Sequence, residues 1–419
     1  MRIEVFQSDK GDCLLLTGKD GARILVDGGM RSSYTEHVAP ALGRIAREKD
    51  ELDLVYVSHI DRDHIAGVLQ LMEDIVAWRV YEFQRDSGND DFREPRTPKP
   101  PNVKRLWHNA FHDVVRDNEG AIESLLAASA AILEAGDARE RPLAEAKREL
   151  AYSVGEGIEL SKRARTEQLG ISVNEEFGGR LAMVRERPQR IPVESFRLTL
   201  LGPFKEDLDA LRKEWKRWLR EHGDEVRRIR EEMARDTERL VAGDVDGFRA
   251  AMALRAGELG DRDRVTVSNL ASLTFLAEEA GRTLLLTGDA HGNEIVRGLR
   301  EAGRLDGGKV HVDVLKIQHH GSEHNIDEEF CRKVTADHYL FCANGEHENP
   351  DPRVVELVVR SRKDDRRFKL WFNSSSKASG TERGRAHMKE VEALAARLAD
   401  GSGRRLGYRF LNGHSFVVR

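Results

Sequence analysis

Short apolar runs fill the first 60 residues of the chain and return after residue 264. The runs at 2–7, 12–16 and 23–26 predict a β-meander, with a hairpin turn at 18–21. Apolar or alternating runs predict further strands at 54–57, 180–184, 196–201, 269–275, 282–286, 310–317, 337–342, 369–372, 407–411 and 415–418. Helical spacing at 34–50, 65–75, 352–362 and 385–399 places helices among them, which predicts an α/β protein.

Two segments interrupt this alternation. Residues 86–180 begin with a proline-rich loop and continue with helical spacing over 106–167. Residues 205–264 include a run, 206–240, in which Lys and Arg alternate with Asp and Glu at spacings of three and four, which is typical of a solvated helix. The chain is therefore predicted to be one domain, 1–419, with two mainly helical insertions at 86–180 and 205–264. Helices and closing strands at 351–419 would complete it.

The composition narrows the class of protein. Hydrophobic residues make up 39% and charged residues 34% of the 419 residues, enough for a core under a highly charged surface. The net charge of −5 gives no overall basic signature for nucleic acid, although 68 Lys and Arg leave room for a local basic groove. Three cysteines indicate a reducing compartment rather than a disulfide framework. No apolar run approaches the roughly 20 residues of a membrane span, so a cytoplasmic protein without membrane contact is expected.

Four metal-ligand side chains fall within six residues: His59, Asp61, Asp63 and His64. They follow the apolar run 54–57 and precede the helical spacing that starts at Ile65, which places them on a loop after a strand. Helix N-capping would explain one Asp. It does not explain two His and two Asp together, so the cluster predicts a divalent metal site.

Other predicted strands end in residues of the same chemistry. Asp27 and Asp289 each follow an apolar run, and His319 and His320 follow another. If these strands share a sandwich, their ends converge with the metal loop at one edge. A divalent ion lowers the pKa of bound water to about 7, and two ions need a shared anionic ligand, for which Asp289 is suited. Asp27 and the Ser322 hydroxyl are predicted to hold imidazoles in one tautomer.

As a set, these motifs resemble the metallo-β-lactamase superfamily, and more narrowly its competence-protein (ComEC-type) branch. The resemblance rests on His59-Ile-Asp61-Arg-Asp63-His64, on Thr287-Gly288-Asp289 and on His319-His320-Gly321-Ser322. Asn269 and Ser272 match an Asn-x-x-Ser strand that precedes the Gly-Asp in that branch. The motifs account for residues 1–85, 180–204 and 265–350, and they leave both predicted insertions and the C-terminal part uncovered.

The resemblance implies a four-layer αββα sandwich with a metal site at one edge. It assigns ligand roles to six residues: His59, Asp61, Asp63, His64, Asp289 and one of the pair His319 and His320. His320 is favoured, because the last ligand of the family usually precedes the Gly of this loop directly. His319 would then touch the substrate phosphate or the leaving group.

The sequence departs from the family at one ligand. A His that usually follows the first motif has no clear equivalent, and His108 and His112 are candidate stand-ins. One-ion and two-ion forms therefore stay open. Asp61, which stands where the family often has His, shifts the preference toward harder ions, so manganese fits as well as zinc.

The predicted function is metal-dependent hydrolysis, with a phosphodiester of nucleic acid or a nucleotide as substrate. Asp63 would orient or deprotonate the attacking water while also serving as a ligand. His319, Lys316 or His324 would stabilise the developing charge, and His108 is a further candidate for substrate contact. The nucleic-acid part comes from the resemblance to the ComEC-type branch.

Two alternatives remain. One is a hydrolase of a small ester, lactone or phosphoester, which would have a closed pocket. The other is a component of a multi-protein assembly, such as a bacterial defence system, with the helical insertions as docking surfaces for a protein partner.

Overall fold

A computed structural model of the chain describes residues 1–48, 50–109, 160, 164, 169–206, 208–209, 272–362, 366–403 and 405–418. Nearly all of the helices predicted within 106–167 and 206–240 lie outside these residues, as do His112 and Asn269.

The first of two sheets is built mainly from the N-terminal part of the chain. Its strands are β1 (Arg2–Phe6), β2 (Leu14–Thr17), β3 (Arg23–Val26), β4 (Leu54–Tyr56), β5 (Arg105–Trp107), β6 (Ser172–Val173) and β15 (Ser415–Val418). Their order is β15-β1-β2-β3-β4-β5-β6. The strands from β3 to β6 run parallel, and the hairpin side from β15 to β3 is antiparallel.

The second sheet has the same mixed character. Its strands are β7 (Arg190–Val193), β8 (Phe196–Gly202), β9 (Thr274–Glu279), β10 (Arg282–Leu286), β11 (Val310–Lys316), β12 (Val334–Phe341), β13 (Phe368–Phe372) and β14 (Leu406–Phe410). Their order is β14-β13-β12-β11-β10-β9-β8-β7. The strands from β10 to β14 are parallel, so their carboxyl ends share one edge.

Helices cover the outer face of each sheet. Their bounds are α1 (Arg31–Ser33), a π-helical turn (Tyr34–Val38), α2 (Ala39–Arg47), α3 (Arg62–Asp86), α4 (Gly292–Glu301), α5 (Glu328–Lys333), α6 (Pro352–Ser361) and α7 (Glu382–Gly401). One apolar core joins α2 and α3 to the first sheet, and another joins α4, α5, α6 and α7 to the second.

A third core lies between the two sheets and combines aliphatic with large aromatic side chains. Tyr56 and Trp107 project from the first sheet and meet Phe275 of the second, with ring centroids 5.2 and 5.4 Å apart. Burying such side chains removes a large apolar area from water, which makes this contact a main source of stability. The layers therefore run helix, sheet, sheet, helix, and the predicted αββα sandwich is confirmed.

The alignment of parallel strands brings the chemically important loops together. In the first sheet Val26 pairs with Tyr56, and Tyr56 pairs with Trp107, so β3, β4 and β5 end side by side. In the second sheet Leu284 aligns with Val314, which sets the ends of β10 and β11 next to each other. A hydrogen bond of 2.7 Å from the Leu273 backbone N–H to the Ser58 carbonyl joins the two sheets at this edge.

Several elements differ from the sequence prediction. Helix α3 continues to Asp86, although its buried residues stop at Ile75. Its exposed half still contains helix-forming residues, and Gly88, with a φ of +84°, ends the helical path. Trp107 lies in strand β5, not in a helix. Strands β5 and β6 pair with the first sheet although they lie within 86–180, the range assigned to an insertion.

The strand predicted at 180–184 is also absent from the described residues, since only an isolated bridge joins Val184 to Phe204 there. The segment is followed instead by the hairpin of β7 and β8, in which Ile191 pairs with Leu198.

Candidate metal centre

The loop between β4 and α3 carries the first group of candidate ligands. Asp61 stands at the N-cap position of α3, yet its side chain makes no capping hydrogen bond. The loop is held by its backbone instead, since the His64 N–H donates to the Asp61 carbonyl at 2.8 Å and the Gly28 N–H donates to the His64 carbonyl at 2.8 Å. The N-cap residue is thus Asp61 and not Asp63, and side-chain capping does not explain the carboxylates of this loop.

Two glycines allow β3 and α3 to meet at this loop. The Gly67 N–H donates to the Gly29 carbonyl at 2.9 Å. A Cβ atom on Gly67 would lie 2.0 Å from the Gly28 carbonyl oxygen, and one on Gly28 would lie 2.3 Å from the Val68 nitrogen. Because no side chain fits in that space, Gly28 and Gly67 are both needed to bring Asp27 against the metal loop.

Three imidazole Nε2 atoms converge on the Asp289 carboxylate. His59 Nε2 lies 3.6 Å and His320 Nε2 lies 3.4 Å from Asp289 Oδ2, and His64 Nε2 lies 3.5 Å from Asp289 Oδ1. His64 Nε2 and His320 Nε2 are 3.3 Å apart. Asp63 Oδ2 is 3.0 Å from His320 Nε2. The edge thus gathers nitrogen and oxygen donors that the sequence places more than 200 residues apart.

Asp61 adds a further carboxylate on the side of His59. Its Oδ2 lies 3.4 Å from His59 Nε2, and its side chain is 31% exposed. The His59 side chain itself is only 1% exposed. The cluster is therefore buried at His59 and Asp289 and reaches solvent at Asp61.

The opposite nitrogen of each buried imidazole is occupied by a group of the protein. His64 Nδ1 lies 3.0 Å from Asp27 Oδ2. His59 Nδ1 lies 3.1 Å from Ser58 Oγ, which in turn donates to Asp27 Oδ2 at 2.8 Å. Asp27 thus orients both rings, one directly and one through a hydroxyl, and this contact agrees with its predicted role.

The imidazole of His320 is oriented by the backbone. Its Nδ1 lies 2.8 Å from the Cys342 carbonyl at the end of β12. With Nδ1 donating a proton there, Nε2 is left with a lone pair that faces the cluster. The Ser322 hydroxyl accepts from the His324 backbone N–H at 3.4 Å within the loop, and the role predicted for it stays a prediction.

The loop after β11 also holds His319, in a different way. His319 and His320 both have positive φ values, +46° and +57°, a strained conformation for residues with a Cβ. Asn325 Oδ1 accepts a hydrogen bond from His319 Nδ1 at 2.5 Å, and Asn325 Nδ2 donates to the Asp289 carbonyl at 2.9 Å. His319 Nε2 lies 3.8 Å from Asp289 Oδ2, and its side chain is 31% exposed. His320 therefore points into the cluster, and His319 lies at its solvent side.

Lys316 and Asp12 form a buried ion pair behind the imidazoles. Their residues are 1% and 2% exposed. The Lys316 ammonium contacts Asp12 Oδ2, donates to the Gly288 carbonyl at 3.0 Å and lies 3.5 Å from Asp289 Oδ1. Burial on its own lowers the pKa of Lys316, but Asp12 and Asp289 outweigh it and raise that pKa. The burial of Lys316 does not favour its predicted contact with substrate.

Sequence reasoning missed Asp12, which it counted as the first residue of an apolar strand. The available signal was a carboxylate directly beside Cys13 and Leu14, both buried. A charge at such a position needs a partner, and the partner here comes from residue 316. Asn325 was missed for the same reason, because its contacts reach across loops.

The other predicted residues lie around the cluster. His108 follows β5 at the same edge and is 2% exposed, with its backbone N–H and carbonyl bonded to the Asn174 side chain at 3.0 and 2.7 Å. His324 is exposed on the loop after His320. The Ser272 hydroxyl accepts from the Asp289 backbone N–H at 3.3 Å. The roles predicted for His108 and His324 stay predictions.

The electric field of the cluster favours a cation. Burial on its own lowers the pKa of His64, but the nearby carboxylates, with Asp289 and Asp27 foremost, raise it well above its usual range. For Asp289 burial raises the pKa, and the imidazoles of His320, His64 and His59 reverse this and hold it well below the usual range. A pocket that attracts protons in this way also attracts a divalent ion, with which the protons compete.

The donor atoms fit a divalent ion. Two nitrogens bound to one tetrahedral zinc at about 2.0–2.1 Å would lie about 3.4 Å apart, and the facing Nε2 atoms of His64 and His320 are 3.3 Å apart. Among the described residues, the buried side-chain atoms without a hydrogen-bond partner include His59 Nε2 and Asp289 Oδ1 on this side and Asp12 Oδ1 on the opposite side. Buried polar atoms normally have one, so the first two atoms are accounted for if they bind an ion.

The described part of the chain contains two groups of three donor residues, and within each group the donor atoms all lie within 4.8 Å of one another. One consists of His59, His64 and Asp289, and the other of Asp12, His64 and His320. In the second group, Asp12 faces the Nδ1 atoms of His64 and His320, and the Lys316 ammonium already contacts Asp12 there. The Nε2 side is therefore where an ion would be held.

A four-layer αββα sandwich with a His/Asp centre at the shared edge of its sheets is an arrangement that metal-dependent hydrolases use. In agreement, residues 9–122 match the family model described as the metallo-beta-lactamase superfamily. This segment covers β2 to β5 and the loop with His59, Asp61, Asp63 and His64. A metallo-β-lactamase domain implies hydrolysis with divalent metal ions, and the His/Asp groups suit that chemistry.

No curated protein matches the chain. In the described residues, none of the helices is both long enough and apolar enough to cross a bilayer.

Proposed function

We propose that this protein is a metal-dependent phosphodiesterase that acts on nucleic acid or nucleotides. The observation that carries the proposal is the convergence of the His59, His64 and His320 Nε2 atoms on Asp289, with each Nδ1 occupied by the protein. Asp61, Asp63 and Asp289 would complete the donor set. Such preorganised ligands favour an ion over a structural hydrogen-bond network.

The bound ion would supply Lewis-acid polarisation of the substrate and a lowered pKa for water at the site. Zinc and manganese both suit this donor set, and its three carboxylates favour the harder ion. The proposal covers one ion or two ions on the Nε2 side. The residues of the chain would do the remaining work of binding, orientation and proton transfer.

Two residues on the solvent side are proposed to handle the proton and the charge. The Asp63 side chain is 18% exposed and 3.0 Å from His320 Nε2, so it can orient water at the cluster while serving as a ligand. His319 is 31% exposed, and its Nε2 lies 3.8 Å from Asp289, with Asn325 holding the ring. That position suits a group that protonates or hydrogen-bonds the leaving oxygen.

The phosphodiester part of the proposal is supported by the resemblance to the ComEC-type branch. Its motif positions, from Asp61 in the first loop to the His319-His320-Gly321-Ser322 loop, are also the positions that meet in space. A small ester or phosphoester as substrate, and a role within a multi-protein assembly, are treated as outcomes of the experiment.

The test combines metal analysis with three substrates. Purified protein is analysed for bound metal and assayed on bis(p-nitrophenyl) phosphate, single-stranded DNA and double-stranded DNA, with Asp289→Ala as the inactive variant. Asp313→Ala, on the neighbouring strand β11, is the matched control, because it removes a carboxylate that Thr283 holds away from the cluster. Metal binding and DNA cleavage lost only in Asp289→Ala are the expected result.

The other outcomes separate the alternatives. Cleavage of the small diester without DNA cleavage would replace nucleic acid by a small substrate. Failure to bind zinc, manganese or iron, each offered in turn, would refute the catalytic proposal and leave a binding component of an assembly.

A further inference from the structure

The ion pair of Asp12 and Lys316 lies between the back of the imidazoles and the Asp289 carboxylate. Lys316 is the last residue of β11, and Asp12 precedes β2 in the opposite sheet. The ammonium contacts Asp12, donates to the Gly288 carbonyl at 3.0 Å and lies 3.5 Å from Asp289 Oδ1. The pair thus joins the two sheets directly behind the donor atoms.

On the Asp12 side, the pair fills a group of donors that would otherwise attract a cation. Asp12 Oδ1 lies 3.4 Å from His320 Nδ1, and Asp12 Oδ2 lies 3.8 Å from His64 Nδ1. The ammonium of Lys316 is the cation that this group already contains. An ion is therefore directed to the opposite, Nε2 face of the same imidazoles.

On the Asp289 side, the ammonium competes for a carboxylate that the ion needs. Asp289 Oδ1 is 3.5 Å from Lys316 and 3.5 Å from His64 Nε2. Coulomb attraction rises as distance falls, so the closer contact with Asp12 draws the ammonium away from Asp289. A Lys side chain has a flexible stem, and without Asp12 its charge would turn to the nearest remaining carboxylate.

We propose that Asp12 and Lys316 are positioning residues, and that Asp12 retains the Lys316 ammonium so that Asp289 stays available to a divalent ion. The inference deepens the proposed metal centre and rests on it. It concerns how the chain sets the charge at the cluster, and it assigns neither residue a contact with substrate.

The test is a cycle of variants in which metal affinity, not turnover, is measured. Asp12→Asn keeps the shape of the side chain and frees the ammonium, so the affinity should fall about tenfold or more, as expected for loss of a group that supports the ligands. The double variant Asp12→Asn with Lys316→Met removes both charges and should recover an affinity within about threefold of the wild type. Recovery on removing a second group is the sign of competition, and a scaffold role would give a further loss.

Affinity is measured by titration with Co²⁺ and Zn²⁺ against a chelating indicator at fixed pH, with far-ultraviolet circular dichroism as the check on folding. Asp53→Asn is the matched control, because Asp53 is also a buried aspartate paired with a lysine, Lys104 at 2.8 Å, at the opposite end of β4. It should leave metal affinity unchanged. The comparison of Asp12→Asn with the double variant decides whether the ammonium competes for Asp289, whether or not the single variant Lys316→Met folds.

The outcomes for this inference and for the metal centre are distinct. A wild-type protein that binds neither ion refutes the metal centre itself. A wild type that binds, with Asp12→Asn binding equally well, overturns the inference alone. A double variant that binds as weakly as Asp12→Asn also overturns it, since the pair would then support the fold without restraining a competing charge.

Discussion

Replacing Asp27 by Asn should disable the metal centre while leaving the fold in place. Asp27 has a φ of +55°, a conformation that Asn adopts as readily as Asp, so the turn after β3 should persist. The carboxylate accepts three hydrogen bonds: from the Ser58 N–H at 2.6 Å, from Ser58 Oγ at 2.8 Å and from His64 Nδ1 at 3.0 Å. The amide can accept at one atom only, so its NH₂ group would face donors.

The expected effect is large because the proton on His64 would move. An amide N–H directed at Nδ1 favours the tautomer with its proton on Nε2, the atom that lies 3.3 Å from His320 Nε2 and faces the ion. Loss of such a supporting group costs about 10–100-fold in metal affinity, equivalent to about 1.4–2.7 kcal/mol. Loss of the negative charge that accepts from the Ser58 N–H and hydroxyl should also destabilise the fold by about 1–3 kcal/mol.

The assay is a competitive Zn²⁺ titration paired with urea unfolding of the metal-free protein. Asp313→Asn is a close control, because Asp313 also accepts from a backbone N–H and a hydroxyl of one residue, Thr283, at 2.8 and 2.7 Å. It should lose stability and keep metal affinity. An Asp27→Asn variant that is folded and binds zinc as tightly as the wild type would refute the tautomer argument.

Three further results are expected. His320→Ala should abolish metal binding in the zinc titration, whereas His319→Ala should bind metal within about threefold of the wild type and lose about 10²–10⁴-fold in turnover of the chromogenic diester. Burial raises the pKa of Asp313, but the hydrogen bonds from Thr283 outweigh it and lower that pKa. Asp313 therefore stabilises the fold above its unfolded pKa of about 3.9, and this stabilisation is lost as the pH falls through the lower pKa of the folded state. In urea unfolding, Asp313→Asn should be less stable than the wild type at pH 7 and closer to it at pH 3. Removal of metal should lower stability by about 2.7 kcal/mol relative to protein kept at 100 times the Kd, as measured by thermal unfolding.

The residues that converge on the cluster were predictable because they sit beside strong local signals. An apolar run marks each strand, and the ligand-type residue after it marks the strand end, as at Asp27, His59 and Asp289. The same runs predicted an α/β protein, and the αββα order of its layers came from the family resemblance. Local patterns and the resemblance together were sufficient for the fold and for the set of residues that meet.

The supporting contacts were not predictable, because each joins distant parts of the chain. Asp12 meets Lys316 across the two sheets, and the His320 ring is oriented by the Cys342 carbonyl, which has no side-chain signature. Strand β5 was hidden for a related reason. It has three residues, with Trp107 as its last, and only its pairing with β4 and β6 makes it a strand.

The position of the cluster explains why its charges can be so dense. Candidate ligands come from both sheets, His59 and His64 from the first and Asp289 and His320 from the second, so the repulsion among the carboxylates acts across the junction of the sheets. The Leu273 to Ser58 hydrogen bond and the aromatic contact of Tyr56 with Phe275 join the two sheets next to the cluster. The apolar core between the sheets thus supplies the free energy that keeps like charges together, and a cation, whether the Lys316 ammonium or a metal ion, removes the repulsion that opposes it.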